Sequence, residues 1–299
     1  MIPFPVVGVA RPNFLILTPI CISLGLASVM LSGSDFQWSL FAVVFVGALM
    51  AHISVNALNE YADFQSGLDF KTERTPFSGG SGTLVIQPRL APYALVIGIA
   101  SLVITLVCGL YLFQQSGWGL LPIGILGVSI ITFYTGWINR HRLLVLIAPG
   151  LSFGPLMVVG THYALAGSYS PLALLLSLIP FFLVNNLLLL NQIPDVEADR
   201  SIGRDNYAIA WEPARSAWIY AGFGILAYLV VIAGVVTQKL PVTALLGLLT
   251  LGLTYRIFVG VRNYQGDIDR LIPYLGRNVA VTLATPLLVF IGVIMDKMW

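Results

Sequence analysis

The sequence predicts an all-α, polytopic membrane protein of nine transmembrane helices, forming one domain over residues 1–299. Three observations predict it: the scarcity of charge, the recurrence of apolar stretches of bilayer length, and the segregation of Lys and Arg to alternate loops. Hydrophobic residues make up 58% of the chain and charged residues only 9%, with a mean hydropathy of +0.90. A soluble domain carries about 25% charged residues, so a soluble fold of this length would lack the charge to cover its surface.

A bilayer core about 30 Å thick needs roughly 20 apolar residues of helix. Stretches near that length fall at 12–33, 37–58, 91–113, 118–139, 142–165, 171–192, 217–237, 241–259 and 279–296. Short links at 34–36, 114–117, 140–141 and 166–170 suit helical hairpins. Continuous apolar runs such as 173–190 lack the two-residue alternation of a membrane barrel. Threading the chain through these spans puts thirteen of the fifteen basic residues on the side of the N-terminus and only Lys239 and Lys297 on the other. Lys and Arg accumulate in cytoplasmic loops, so the N-terminus and the loops after helices 2, 4, 6 and 8 are expected at the cytoplasmic face of the cell membrane.

Composition also excludes functions. A net charge of +2 without a basic run gives no footprint for nucleic acid. Cys21 and Cys108 fall inside apolar segments, where a thiol acts as a small hydrophobe. The segment 1–10 lacks the basic start and cleavage site of a signal peptide, so the first apolar stretch is expected to remain as a span. His52, His141 and His162 lack metal-ligand spacing, and Trp38, Trp118, Trp218 and Trp299 fall near helix ends as headgroup anchors.

Charge concentrates where chemistry is expected. Six charged residues lie between Glu60 and Arg74 and eight between Asp195 and Arg215, half of the 28 in the chain. In the first window, Asn56, Asn59, Glu60 and Asp63 share one face of a helix at i, i+3, i+4 and i+7. Gly67 is a natural stop that turns Asp69 back toward them. In the second, Asn191, Asp195 and Asp199 are spaced by four, with Pro194 loosening the helix and Gly203 ending it. Asn59 and Asp63 correspond to Asn191 and Asp195 at a constant offset of 132 residues, which suggests two four-helix units followed by a ninth helix.

Magnesium takes octahedral oxygen ligation, with one or two carboxylates completed by phosphate oxygens and water. Two facing carboxylate sets suit ions bridging a diphosphate, and Lys71, Arg74, Arg200 and Arg204 follow directly as counter-charges for a departing anion. An ion-coupled transporter is the competing class. Its sites lie near the midplane on broken helices, whereas these windows run into polar loops. Asp267, Asp269, Arg270, Arg277 and Asn278 are read as a solvated rim.

These motifs resemble those of the UbiA superfamily of intramembrane prenyltransferases, and the likeness extends over nearly the whole chain. The spacing Asn59-x-x-x-Asp63 with Asp69 after five residues is similar to the 1,4-dihydroxy-2-naphthoate branch of menaquinone biosynthesis, as are Tyr134-Thr135-Gly136, Phe153-Gly154-Pro155-Leu156 and Gly160-Thr161. Glu60, where an aspartate is common, and the run Phe77-Ser78-Gly79-Gly80-Ser81-Gly82 depart from the usual pattern. The resemblance implies nine helices around a central cavity and Mg2+ held by Asn59, Asp63, Asp69, Asp195 and Asp199. It also implies that Asn56, Lys71, Asn191, Arg200 and Arg204 bind substrate, with Arg74 and Tyr134 at the reacting groups. The reaction implied is transfer of a polyprenyl group from an allylic diphosphate to an aromatic acceptor; 4-hydroxybenzoate and a glycerol lipid are the alternative acceptors.

Overall fold

All nine apolar segments are helical in the computed structural model, which describes residues 4–298. They are α1 (Leu17–Ser32), α2 (Trp38–Gln65), α3 (Pro88–Ser116), α4 (Leu120–Phe133), α5 (Arg142–Ala166), α6 (Pro171–Asn191), α7 (Pro213–Val236), α8 (Val242–Arg262) and α9 (Ile268–Met298). No strand occurs among the described residues. Helix is the solution that hydrocarbon permits, because it pairs every backbone N–H and C=O within the segment. Trp299 lies outside the described residues.

Seven helices, α2, α3 and α5 to α9, are long and apolar enough to cross a bilayer. The segment Val6–Leu15 and α1 pass that test only as a pair bent by 41°. At 14 residues, α4 falls short of the roughly 20 that a bilayer core requires. Among the described residues, length and composition thus support seven crossings, or eight with the bent pair, of the nine expected.

Consecutive helices pack in a ring, and α9 closes it against α1, α6 and α8. Within it, α6 buries Leu176, Ile179, Leu183, Leu189 and Leu190 and packs on α1, α5, α7 and α9. The opposite arc shows apolar side chains outward: Val96, Ile99, Val103 and Val107 of α3 and Leu126 of α4 are exposed and outside the internal cavity. Such a surface suits lipid, where the hydrocarbon solvates it.

Helix α5 is the irregular element. A regular helix from Arg142 to Leu151 widens to a π-helix over Ser152–Val159 and then tightens again over Gly160–Ala166. Pro149 and Pro155 lie inside it, each removing a backbone donor and crowding the preceding turn. The Gly150 N–H donates across to Asn185 Oδ1 of α6 at 2.7 Å. Gly150 and Gly154, four residues apart, bring the α5 backbone onto α6, so that a Cβ at either would collide with the backbone at Phe181 or Ser177. Small residues at this spacing let membrane helices approach closely.

The close approach predicts the effect of added bulk. Gly154→Val should destabilise the protein by about 2 kcal/mol, since neither backbone can yield. The readout is a lowered thermal midpoint in detergent, and an unchanged midpoint would show that this contact does not set the α5–α6 separation.

Candidate active site

Helix α2 continues beyond the expected 58 to Gln65, so the whole first window up to Asp63 is helical. Ser66 caps the helix, and Gly67, at φ 74°, turns the chain in the left-handed region that glycine tolerates. A short 3-10 turn, Leu68–Phe70, then brings Asp69 back, buried, into a cavity that Asn56, Asn59 and Asp63 also line. Asn56 Nδ2 donates to the Ala10 carbonyl at 2.9 Å and Asn59 Nδ2 to Thr135 Oγ1 at 3.1 Å. Glu60 points to one side of the cavity, toward Arg11.

In the second window α6 ends at Asn191, and a separate helix, Val196–Ser201, starts after Asp195. Pro194 interrupts the helix and Gly203, at φ 78°, follows its end. Asn191, Asp195 and Asp199 nonetheless line the same cavity as the first set. The two sets are joined by Arg204, whose Nη1 donates to Asp199 Oδ1 at 2.9 Å while Nη2 donates to Asp63 Oδ1. Asn206 adds a 3.3 Å bond to Asp199 Oδ2, and the Gly79 N–H donates to Asp195 Oδ2 at 3.2 Å.

The other basic residues divide. Arg74 lines the cavity and donates to the Ser81 carbonyl. Lys71 and Arg200 do not line it: Lys71 Nζ is exposed and bonds Ser201 Oγ at 3.2 Å, and Arg200 pairs with Glu197 at 3.1 Å on the outer side of the short helix. Tyr134, at the end of α4, lines the cavity. The rim residues from Asp267 to Arg277 stand outside it, and Asn278 is buried with its amide on the Asn186 carbonyl at 3.1 Å. His52 and His162 bond Thr18 and Ser28 at 2.9 and 2.7 Å, and His52 also lines the cavity.

Sequence reasoning missed Arg11 and Asn206 as parts of this site, whereas the glycine-rich run, expected from the sequence as a loop over the site, does line the cavity through Gly79, Gly80 and Ser81. Arg11 sits before Pro12 at the chain's entry into the bundle, and a lone charge beside an apolar span is the signal that could have found it.

The cavity measures about 1010 Å³. Its polar end holds the two acidic sets and the loop 72–81; the remainder runs between α2, α3, α4 and α5 over Leu106, Leu110, Phe113, Leu121, Leu156 and Met157. Burial, reinforced by Glu60 and Asp63, pushes the Asp69 carboxyl up to about 7. Burial and Asp199 push Asp195 up to about 7 as well, with the Gly79 N–H and Arg204 opposing. Burial would lower the Arg204 guanidinium, but Asp63 and Asp199 outweigh it and hold its pKa above the ordinary value.

Three buried oxygens here have no hydrogen-bond partner among the described residues: Asp69 Oδ2, Asn191 Oδ1 and Asp195 Oδ1. Orphaned acceptors in a carboxylate cluster fit a hard, oxygen-seeking cation. No three of the described His, Cys, Asp or Glu side chains converge to hold an ion alone.

Apolar helices around an acid-headed, apolar-tailed cavity define a multi-pass membrane protein with an amphipathic internal site. The chain belongs to the UbiA prenyltransferase family, which it matches over residues 18–277. It is 28% identical over 205 residues to the 1,4-dihydroxy-2-naphthoate octaprenyltransferase of Bacillus subtilis, covering 66% of this chain and 63% of that protein, less than two thirds of its length. To the Mycobacterium tuberculosis protein of the same name it is 27% identical over 273 residues, 89% of this chain and 88% of that one. The solved UbiA homolog from Archaeoglobus fulgidus bound to DMAPP and Mg2+ shares the fold at a TM-score of 0.61 and 15% identity, over 95% of this chain and 98% of that one. Family membership favours the transferase over the transporter reading.

The raised carboxyls predict a pH-dependent ion affinity. With Asp69 and Asp195 near 7, the neutral acid prevails below that pH, and a cation must displace protons to bind. Mg2+ affinity, measured by calorimetry on the purified protein, should rise with pH from 6 toward 7, by at most about tenfold per unit for each proton released, and level off by pH 8. Asp195→Asn should flatten the rise, and an affinity constant over that range in the wild type would refute it.

Proposed function

We propose that this protein transfers a polyprenyl group from an allylic diphosphate to an aromatic carbon, with 1,4-dihydroxy-2-naphthoate as acceptor and Mg2+ as cofactor, in menaquinone biosynthesis. The observation that carries the proposal is the meeting of the two acidic windows, 132 residues apart in sequence, at the polar head of one cavity whose tail is apolar. A substrate with a doubly charged head and a hydrocarbon tail has that same division. The two octaprenyltransferase relatives support naphthoate over the other acceptors.

Asp69, Asn191 and Asp195 offer the open oxygens that would hold the cation, with Asp63, Asp199 and Asn59 completing the acidic head. Bound there, Mg2+ would neutralise diphosphate charge and act as a Lewis acid on the leaving group. Arg204 and Arg74 border the same space and stabilise negative charge as the C–O bond breaks. The apolar walls keep water from the allylic cation, and the Tyr134 ring at the cavity wall offers its face to positive charge. Attack by the ring carbon on the allylic carbon forms the C–C bond as the C–O bond electrons leave with diphosphate, and the ring regains aromaticity by releasing the group on the attacked carbon, its proton or, where that carbon carries the carboxylate, CO2. Asn56 holds the entry segment in place through Ala10, while Lys71 and Arg200 act from outside the cavity, as charges at its mouth. The excess of basic residues on the side of the motifs supports a cytoplasmic orientation for that mouth.

Purified protein given Mg2+, geranylgeranyl diphosphate and a panel of aromatic acceptors should release diphosphate and form the prenylated naphthoate, detected by mass spectrometry. Asp63→Ala and Asp195→Ala should each lower turnover by about a thousandfold, the scale of losing a key electrostatic group, while the variants remain folded in detergent. Wild-type rates in both variants would discredit the assignment of the site.

A further inference from the structure

We infer that Glu60 is a positioning residue, a clamp that holds the glycine-rich turn across the two acidic motifs and thereby shapes the diphosphate end of the cavity. This rests on the prenyl-transfer reading above. Glu60 is 1% exposed, and both its oxygens are already engaged. Oε1 accepts from Arg11 Nε at 2.8 Å and from the Ser81 N–H at 2.6 Å; Oε2 accepts from Ser81 Oγ at 2.8 Å. Its neighbours Asn59 and Asp63 face the cavity, but Glu60 does not. A carboxylate buried this deeply needs its charge matched, and Arg11 matches it.

The turn it holds is built to lie against carboxylates. Gly79, Gly80 and Gly82 have φ of 78°, 71° and 68°, a conformation in which side chains are strained. At Gly80 a Cβ would come within 3.1 Å of Glu60 Oε1 and 3.3 Å of Asp69 Oδ1, so the backbone rests directly on the first motif. Two residues apart, the Gly79 N–H bonds Asp195 and the Ser81 N–H bonds Glu60. One turn therefore links the end of α2 to the residues after α6. Arg11 extends the clamp: its Nη2 donates to Asn59 Oδ1 at 3.1 Å, which orients that amide toward Thr135. Glu60 reaches the turn and Arg11 together; aspartate, one methylene shorter, could not span to both from the same helical position.

The test uses the full-length protein in detergent and three readouts. In Glu60→Ala, hydrogen exchange over residues 77–83 should accelerate by about tenfold or more while the amides of α2 stay protected, because the Ser81 N–H loses its acceptor. KM for geranylgeranyl diphosphate should rise by about tenfold with kcat and the acceptor KM changed by less than about threefold, the pattern of lost donor positioning. Mg2+ affinity without diphosphate should stay within about twofold, since Glu60 ligates no ion. Glu60→Gln, which retains an acceptor for Ser81, should fall between, and Glu60→Asp should not rescue. Ser81→Ala loosens the same clamp from the other side without stranding a buried charge, and should shift exchange and donor KM in the same direction should Glu60→Ala fail to fold. Unchanged exchange and donor KM in Glu60→Ala would overturn the inference, as would a tenfold loss of Mg2+ affinity. An inactive wild type would instead overturn the prenyl-transfer reading, leaving the exchange measurement to decide the clamp.

Discussion

One guanidinium shared by two carboxylates holds this site together. Arg204 donates to Asp63 at the end of α2 and to Asp199 beyond α6, joining segments that are far apart in sequence and belong to different halves of the bundle. Buried charges are costly unless paired and hydrogen-bonded; with 9% and 14% of the side chains exposed, the Asp63–Arg204 pair has little water to turn to. A second pair, Glu60 with Arg11, does the same for the first motif and ties the N-terminal segment to it. Remove these cations and the acidic residues would repel one another at the mouth of an apolar bundle.

From this polar head the cavity changes character along its length. Carboxylates, amides and glycine backbone line one end, and leucine, phenylalanine and methionine side chains line the rest. The same bilayer that forces backbone into helices confines ionisable groups to helix ends and the loops beyond them. A substrate that is charged at one end and hydrocarbon at the other thus meets a protein graded in the same sense. The cavity lies among α1 to α6 and their loops, while α7 and α9 pack on α6, α8 packs on α7 and α9, and none of the three lines the cavity.

Irregular backbone serves this arrangement. Where α5 passes the cavity, Pro149, Pro155 and the π-helix loosen it, and Gly150 and Gly154 press it onto α6. The displaced Gly150 N–H is not left unpaired, because Asn185 of α6 accepts it. Rigid backing of this kind fixes α6, the helix that leads into the second acidic motif.

Sequence alone determined the class of the protein and the identity of its acidic residues. Hydropathy reports how long each segment stays apolar, so all nine helices could be located. The four-residue spacing of Asn59 and Asp63, and of Asn191 and Asp195, is a property of one helix and readable from it. Gly67, Pro194 and Gly203 act through their own backbone preferences, and each stops or breaks its helix where expected. Tertiary structure decided which charges meet. Lys71, Arg74, Arg200 and Arg204 looked equivalent beside the motifs, yet only Arg74 and Arg204 reach the cavity, because the turn ending the short helix after Asp195 faces Arg204 inward and leaves Arg200 on Glu197. The partners of Arg11, Asn206 and Glu60 were decided by packing as well, since each lies 7 to 49 residues away. Local patterns encode helices because the interactions that make a helix are local; a site assembled between helices is set by packing, which no single segment records.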